Sequence, residues 1–425
     1  IDATTLPPRT PRPGGMRRAI RRGGVGALLV GATLLTSACV DPEPESPAAA
    51  TTSAPPPATA ATAATQTLGA TGSASGPAPA SPAATAATAV PTATLALTAD
   101  SPITLAFGGD VHFEGVVARL LTGGVGLGAL RTVLGPADVA VVNLETAITD
   151  RGTEQPKIYH FRTSPAALTT LQQAGVDAVS MANNHAVDYG ADGLADTLAA
   201  QAASPIPVVG IGRDAAQAFA PAVFTVRGTT VAVLASTQVD DFTVHAFPAT
   251  DSRPGIAGNL DDTRLLSAVR SAREAYDVVV VFLHWGSDYV GCPDGPQVAT
   301  ATALSRAGAD VVVGGHSHRV QGAGWLGRTY IGYGLGNFVW LNSRGPADAV
   351  SGVLTVAVDP VAARAGRGQD AVQRAAGPSV VTSGTWTPLV IGADGVPVAP
   401  GSAAAAAQND AWSQARTCAR LASHP

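Results

Sequence analysis

The chain has 425 residues, with 31 acidic against 26 basic side chains and a formal charge of −5. Six Arg and one Asp lie in residues 1–38, so the remainder carries −10, and without a basic stripe it is a poor candidate for nucleic-acid binding. Charged residues are 13% of the whole, beside 47 Gly and 32 Pro, so composition has to be read segment by segment.

Residues 1–15 contain no Met and read as sequence upstream of an initiator Met16. Arg17, Arg18, Arg21 and Arg22 then precede the apolar run Val25–Leu35 and the small residues of "TSAC". A basic start, a short apolar core and small residues form a secretory signal, and the run is too short for a spanning helix. Cys39 follows as in a bacterial lipobox, with Thr36 where Leu is usual. Lipidation of Cys39 would anchor the chain to the extracellular face of the membrane, and plain secretion is the alternative. Residues 46–99 carry no charge and are mostly Ala, Thr, Pro and Ser, so residues 40–100 read as a disordered linker. Cys292 and Cys418 remain as a pair. In an oxidising compartment they would form a disulfide pinning the C-terminal tail to the body, the alternative being two free thiols.

From Ile103 onward short apolar runs alternate with helix-like stretches. The runs are "ITLAFGG", "ADVAVVNLE", "VDAVSMANNH", "TTVAVLAST", "YDVVVVFLHWG", "ADVVVGGHSH" and "RTYIGYGLGNF". Between several of them lie "SPAALTTLQQAG", "GADGLADTLAAQ", "LDDTRLLSAVRSAREA" and "GPQVATATALSRAG". Continuous β-branched runs fit strands buried on both faces, and the helical links fit strand–helix–strand units. "SGVLTVAV" and "SVVTSGTWTPLVI" read as strands with no helix between them, which implies mixed sheets in an α/β sandwich. The folded domain is expected over 101–395, after a signal segment at 1–39 and the linker, with a tail at 396–425.

Polar residues cluster where the strands end. Asp110 and His112 follow "LAFGG", and Asn143 and Glu145 close "VAVVNLE". Asn183, Asn184 and His185 follow "AVSMA", His284 ends "VVVVFLH", and His316 and His318 follow "DVVVGG". The carboxyl ends of strands in α/β folds converge on the ligand crevice, so five strands deliver Asp, Glu, Asn or His to one edge. Carboxylate, amide oxygen and imidazole suit Mn, Zn or Fe, and there are enough ligands for two divalent ions. In this reading Asp110 and His112 bend toward one ion, Glu145 bridges, Asn184 offers its amide oxygen, and His284, His316 and His318 complete two shells. His185 stays free as general acid.

The ordered motifs "FGGDVHFEG", "NLETAITDRG", "FRTSPAALTTLQQAGVDAVSMANNHAVDYG", "FLHWG", "GADVVVGGHSHRVQG" and "YGLGNFVW" resemble the CapA-type poly-gamma-glutamate capsule biosynthesis proteins. That family is similar in fold to the calcineurin-like metallophosphoesterases, and the likeness covers roughly residues 103–395. It implies a four-layer αββα sandwich with a dinuclear site. Asp110 and His112 match the opening Asp-x-His, Asn184 and His185 the Asn-His pair, His284 the lone strand-end His, and His316 with His318 the Gly-His-x-His. Two departures stand out. "NLE" replaces Gly-Asp-x-x-Asp, and Ala186 follows the Asn-His where an acid is usual, leaving Asp188 to orient His185.

The resemblance implies a surface-anchored, metallohydrolase-like protein acting on an anionic polymer such as poly-gamma-glutamate, beside capsule-synthesis partners. A polymer-binding or export factor retaining the fold, and a phosphoesterase, are the alternatives. Arg162 and Lys157 lie where they would meet an anionic substrate or form a salt bridge. Asn143, Asn183 and Asn337 are further candidates to line a substrate site, while His160, His245 and His424 stand alone.

Overall fold

The computed structural model describes residues 97–122, 126–341, 345–369, 373 and 376–425. The signal-like segment, Cys39 and residues 40–96 of the linker lie outside the described residues. The described residues fall in the unit Val90–Pro425.

Two sheets carry the structure. The first is built from β1 (Ile103–Val111), β2 (Val139–Leu144), β3 (Ala178–Ser180) and β4 (Val208–Val209), which run parallel in that order. The second centres on β6 (Thr229–Thr237), β7 (Val278–Trp285) and β8 (Val311–His316), again parallel, with β5 (Ala222–Val226) antiparallel at one edge. Its other edge is the hairpin β9 (Ala323–Leu326) and β10 (Thr329–Gly332), with β10 parallel to β8. The chain then returns to the first sheet. Strand β11 (Asn337–Val339) lies parallel beside the end of β1, and β12 (Val350–Val358), β13 (Val381–Ile391) and β14 (Pro397–Val398) extend the other flank antiparallel. The sheets are mixed, as expected.

The apolar runs explain this layering. Every residue of β2, β7 and β8 is buried, the signature of strands covered on both sides. Leu105, Phe107, Val139 and Val141 of the first sheet belong to the same core as β6, β7 and β8, whereas Ala106, Ala140 and Val142, on the opposite face, pack with helices α1 (Ala166–Gln173) and α2 (Gly190–Ala202). Helices α3 (Thr263–Ala275) and α4 (Gly295–Ala307) contribute Leu265, Val269, Ala301 and Leu304 to the core around the second sheet. Helix, sheet, sheet and helix therefore stack as a four-layer α/β sandwich. Among the described residues no helix is long and apolar enough to cross a membrane.

A repeated aspartate sets the register of the parallel strands. Asp138 accepts the N–H of Thr104 at 2.8 Å, Asp177 that of Ala140 at 2.8 Å, Asp277 that of Thr230 at 2.7 Å and Asp310 that of Val279 at 2.8 Å. Each sits just before its own strand and pairs the leading amide of the neighbouring one, a group the ladder alone leaves open.

Three expectations need correction. "RTYIGYGLGNF" is not one strand. It divides into β10 and β11, in different sheets, because Gly334 and Gly336 carry the crossing, Gly336 at φ +68°. A Cβ on Gly109 would lie 1.8 Å from the Gly336 oxygen, so this crossing presses against β1. Between β12 and β13 a short helix, Pro360–Ala365, does form. Asp359 caps it by accepting from Val361 and Ala362, and Pro360 opens it. Finally, the stretch after residue 395 is part of the body. It carries β14 and helix α5 (Ser402–Cys418), whose buried Trp412 stacks on Trp386 of β13 at 4.5 Å. Cys418 at the end of α5 is bonded to Cys292.

Candidate metal centre

The carboxyl ends of β1, β2, β7 and β8 and the turn after β3 meet beside a cleft of about 540 Å³, lined by His112, Asn184, His185, His316, His318 and Asn337 among others. Two ligand groups lie against it. Asp110, Glu145 and His284 each offer an atom, all within 4.8 Å of one another, and so do Glu145, His316 and His318. Glu145 belongs to both.

The glycines of "GGHSH" explain how β8 reaches the site. A Cβ on Gly315 would stand 2.1 Å from Asp110 Oδ1, and one on Gly314 2.1 Å from Trp285 Nε1. Only glycine lets the strand end pass so close to the carboxylate, and the His316 N–H then donates to Asp110 Oδ2 at 2.9 Å. His316 and His318 themselves adopt φ of +80° and +49°. Left-handed backbone at two non-glycine residues is a strained arrangement that tends to persist at functional sites.

Beneath the ligands lies an asparagine relay. Asn143 Nδ2 donates to Asp110 Oδ1 at 2.8 Å and faces His284 Nδ1 at 3.1 Å, while Asn143 Oδ1 accepts from Asn183 Nδ2 at 3.0 Å. Asn183 also donates to the Leu144 carbonyl and accepts the His185 N–H. His284 Nε2 lies 2.8 Å from Asn184 Oδ1. Asn143 and Asn183 are fully buried with their polar atoms used, so they scaffold Asp110 and His185 rather than line a substrate site. Asn337 reaches the cleft but its Oδ1 is held by His318 Nδ1 at 2.7 Å.

Glu145 is the electrostatic anomaly. It is fully buried and neither carboxylate oxygen has a hydrogen-bond partner. His284 Nε2 stands 3.3 Å away and His185 Nε2 3.9 Å. Burial, with repulsion from Asp110 second, pushes the Glu145 carboxyl up to about 8. Burial likewise holds His284 down at about 4 and His316 well below its ordinary value. His284 and His316 are therefore neutral at pH 7, the form that ligates. A buried carboxylate without donors is a costly arrangement unless a cation completes it. The residues thus fit a divalent metal.

His185 forms a second unit. Its Nδ1 is 2.6 Å from Asp188 Oδ2, which also accepts the Phe161 N–H at 2.8 Å. Lys157 Nζ donates to the other Asp188 oxygen at 2.7 Å and sits 3.5 Å from Asp241. Asp188 thus takes up the orienting position that Ala186 leaves open.

Two predicted residues lie outside the ligand groups. His112 lines the cleft but belongs to neither group. Its ring nitrogens lie 3.0 and 3.2 Å from the backbone nitrogens of Glu114 and Leu341, and it stacks on Phe161 at 4.7 Å. Arg162 is exposed and its guanidinium lies 4.8 Å over the Tyr189 ring, outside the cleft lining, because a cation–π contact takes it there. His160, His245 and His424 bond to Gln155, Asp240 and Ser423 and line no part of the cleft.

The aromatic wall was not anticipated. Phe161 packs between His112 and His185, and Trp340 touches His112, Phe161 and His318. Tyr289 lies 5.7 Å from His318. The signal was present, since "FRTSP" and "GNFVW" place Phe161 and Trp340 next to polar strand ends.

A family model for the bacterial capsule synthesis protein PGA_cap matches residues 104–341, more than half of the chain. The chain belongs to the PGA_cap family. It is 32% identical over 218 residues to the PGA biosynthesis protein CapA of Bacillus subtilis, covering 50% of this chain and 56% of that one. It is 35% identical over 188 residues to the capsule biosynthesis protein CapA of Bacillus anthracis, covering 43% and 45%. A probable polyglutamine synthesis accessory protein of Mycobacterium tuberculosis is 31% identical over 210 residues, 48% and 55% of the two chains. The match thus spans about half the length of these relatives. Every candidate ligand, from Asp110 to His318, lies inside the PGA_cap match.

Proposed function

We propose that this PGA_cap protein works at the cell surface in the synthesis or export of an anionic capsule polymer such as poly-gamma-glutamate, through a hydrolase-like site holding two divalent cations of the Mn, Zn or Fe class. The observation that carries the reading is Glu145, buried, without donors and common to both ligand groups. Asp110, Glu145 and His284 would hold one cation, and Glu145, His316 and His318 the other, with Asn184 beside His284. A divalent cation supplies Lewis acidity toward a carbonyl or phosphoryl oxygen.

The side chains supply the proton chemistry and the positioning. Asp188 holds the His185 Nδ1 proton, which leaves Nε2 turned toward Glu145 to give or take a proton at the reacting group. Lys157 is committed to Asp188 and Asp241, so the polymer's carboxylates would meet the cations rather than a free basic side chain. Phe161 and Trp340 give the cleft an aromatic wall. The basic start, the apolar run and Cys39 support lipid anchoring at the extracellular face, with the Ala/Thr/Pro/Ser-rich stretch as spacer; secretion without a lipid is the second reading.

The test incubates the Mn²⁺-loaded full chain with poly-gamma-glutamate of defined length and, separately, with phosphomonoesters and diesters. The reading expects the polymer's length distribution to change, and His185→Ala to slow this by roughly 10²–10⁴-fold at an unchanged cation count. Turnover of phosphoesters alone would replace it with a phosphoesterase. Polymer binding without any turnover would replace it with an export factor.

A further inference from the structure

The loop after β7 reaches the site through a residue that no motif singled out. Asp288 follows "FLHWG", lines the cleft, and places Oδ1 3.4 Å from His316 Nε2. His316 is otherwise buried, and its Nδ1 has no hydrogen-bond partner. One ring nitrogen thus faces a carboxylate while the other is open, within a residue that also belongs to the group with Glu145 and His318. A metal-bound histidine commonly donates its second N–H to a carboxylate, which fixes both tautomer and ring orientation.

The loop is fastened so that Asp288 stays in place. The Tyr289 N–H donates to the Ser317 carbonyl at 2.8 Å, with Tyr289 at φ +62°. Gln321 Nε2 donates to the carbonyls of Val290 and Cys292 at 2.9 and 3.3 Å. Cys292 is bonded to Cys418 of α5, and Arg319 lies 5.0 Å over the Tyr289 ring. Five contacts therefore hold Tyr289, Val290 and Cys292 beside a histidine whose own backbone is strained.

We infer that Asp288 is a positioning residue for the cation site: it accepts the Nε2 proton of His316 and so presents Nδ1 to the cation shared with Glu145. The inference rests on the two-cation reading above. Equilibrium binding of Mn²⁺ to the chelator-stripped full chain tests it, with parent, Asp288→Ala, Asp288→Glu, His316→Ala and the Asp288→Ala/His316→Ala double variant. Positioning predicts roughly tenfold weaker binding of one Mn²⁺ in Asp288→Ala, substantial recovery in Asp288→Glu, and a double variant no worse than His316→Ala. Parent-like affinity in Asp288→Ala would overturn it. So would an Asp288→Ala loss that persists undiminished on the His316→Ala background, because Asp288 would then act through its charge and not through the imidazole. If the parent itself bound no Mn²⁺, the two-cation reading would fall; if the parent bound and His316→Ala lost Mn²⁺ while Asp288→Ala did not, this inference alone would fall. Asp288 has a half-exposed side chain, so folding of its variants is not at stake.

Discussion

Replacing Glu145 by Gln should make the metal-free protein more stable and the metal-treated protein less so. The Glu145 carboxyl rises from an ordinary 4.5 to about 8 on burial. A group whose folded-state value is raised lends its full stability below the unfolded value and loses it as pH climbs toward the folded one. At pH 7 the unfolded chain has ionised this group and the folded chain largely has not, over a gap of about 2.5 units. At 1.36 kcal/mol per unit, the folded state is penalised by roughly 3 kcal/mol at pH 7. Gln keeps the shape without the titration. Urea unfolding of the chelated proteins should therefore favour Glu145→Gln by up to about 3 kcal/mol at pH 7 and show no advantage near pH 4. Excess Mn²⁺ should reverse the order, since binding at 1,000 times Kd adds about 4.1 kcal/mol to the parent. A chelated variant less stable than the parent at pH 7 would refute the burial argument. A variant that gains as much from Mn²⁺ as the parent would refute the shared-ligand argument.

Other outcomes follow from particular contacts. Gly315→Ala puts a Cβ on Asp110 Oδ1, so Mn²⁺ affinity should fall on the order of tenfold or more while circular dichroism stays native-like; unchanged affinity would mean that β8 yields freely. Cys418→Ser opens a cross-link spanning 126 residues, a loop for which chain entropy gives about 5 kcal/mol, and denaturant midpoints should drop accordingly and respond no further to reductant. Burial alone would raise the Asp138 carboxyl, but hydrogen bonds from Arg227 and Thr104 outweigh it and hold it below its usual range. That stability is present above the unfolded value and lost as pH falls through the folded one, so Asp138→Asn should cost about 1 kcal/mol at pH 7 and little at pH 2, read by denaturant titration at both.

The strands legible in the sequence were those whose chemistry repeats. Unbroken valine runs mark β7 and β8, and polar residues at five strand ends mark the site edge. Glu145 stood out only as a carboxylate ending "VVNLE"; that it has no donor is a tertiary fact, set by which amides reach it. Arg162 departs from its expected place for a related reason. Its position along the chain is near the cleft, but the Tyr189 ring captures the guanidinium. The crossing from β10 to β11 was hidden because "YIGYGLGNF" has strand-like composition throughout, and only the φ of Gly336 distinguishes a turn from an extended residue. Asp288 was invisible because nothing local separates it from any solvated loop aspartate. The loop's fastening to Ser317, Gln321 and Cys418 is what brings it to His316.

The central claim is that Glu145 joins two cation sites, and the most direct measurement counts ions. The full chain, stripped by chelator and re-equilibrated with Mn²⁺ or Zn²⁺, would be analysed by native mass spectrometry beside Glu145→Gln and His316→Ala. The account predicts two ions per parent chain, at most one in His316→Ala, and loss at both positions in Glu145→Gln. A folded parent that takes up no ion, or a Glu145→Gln variant that still holds two, would contradict it.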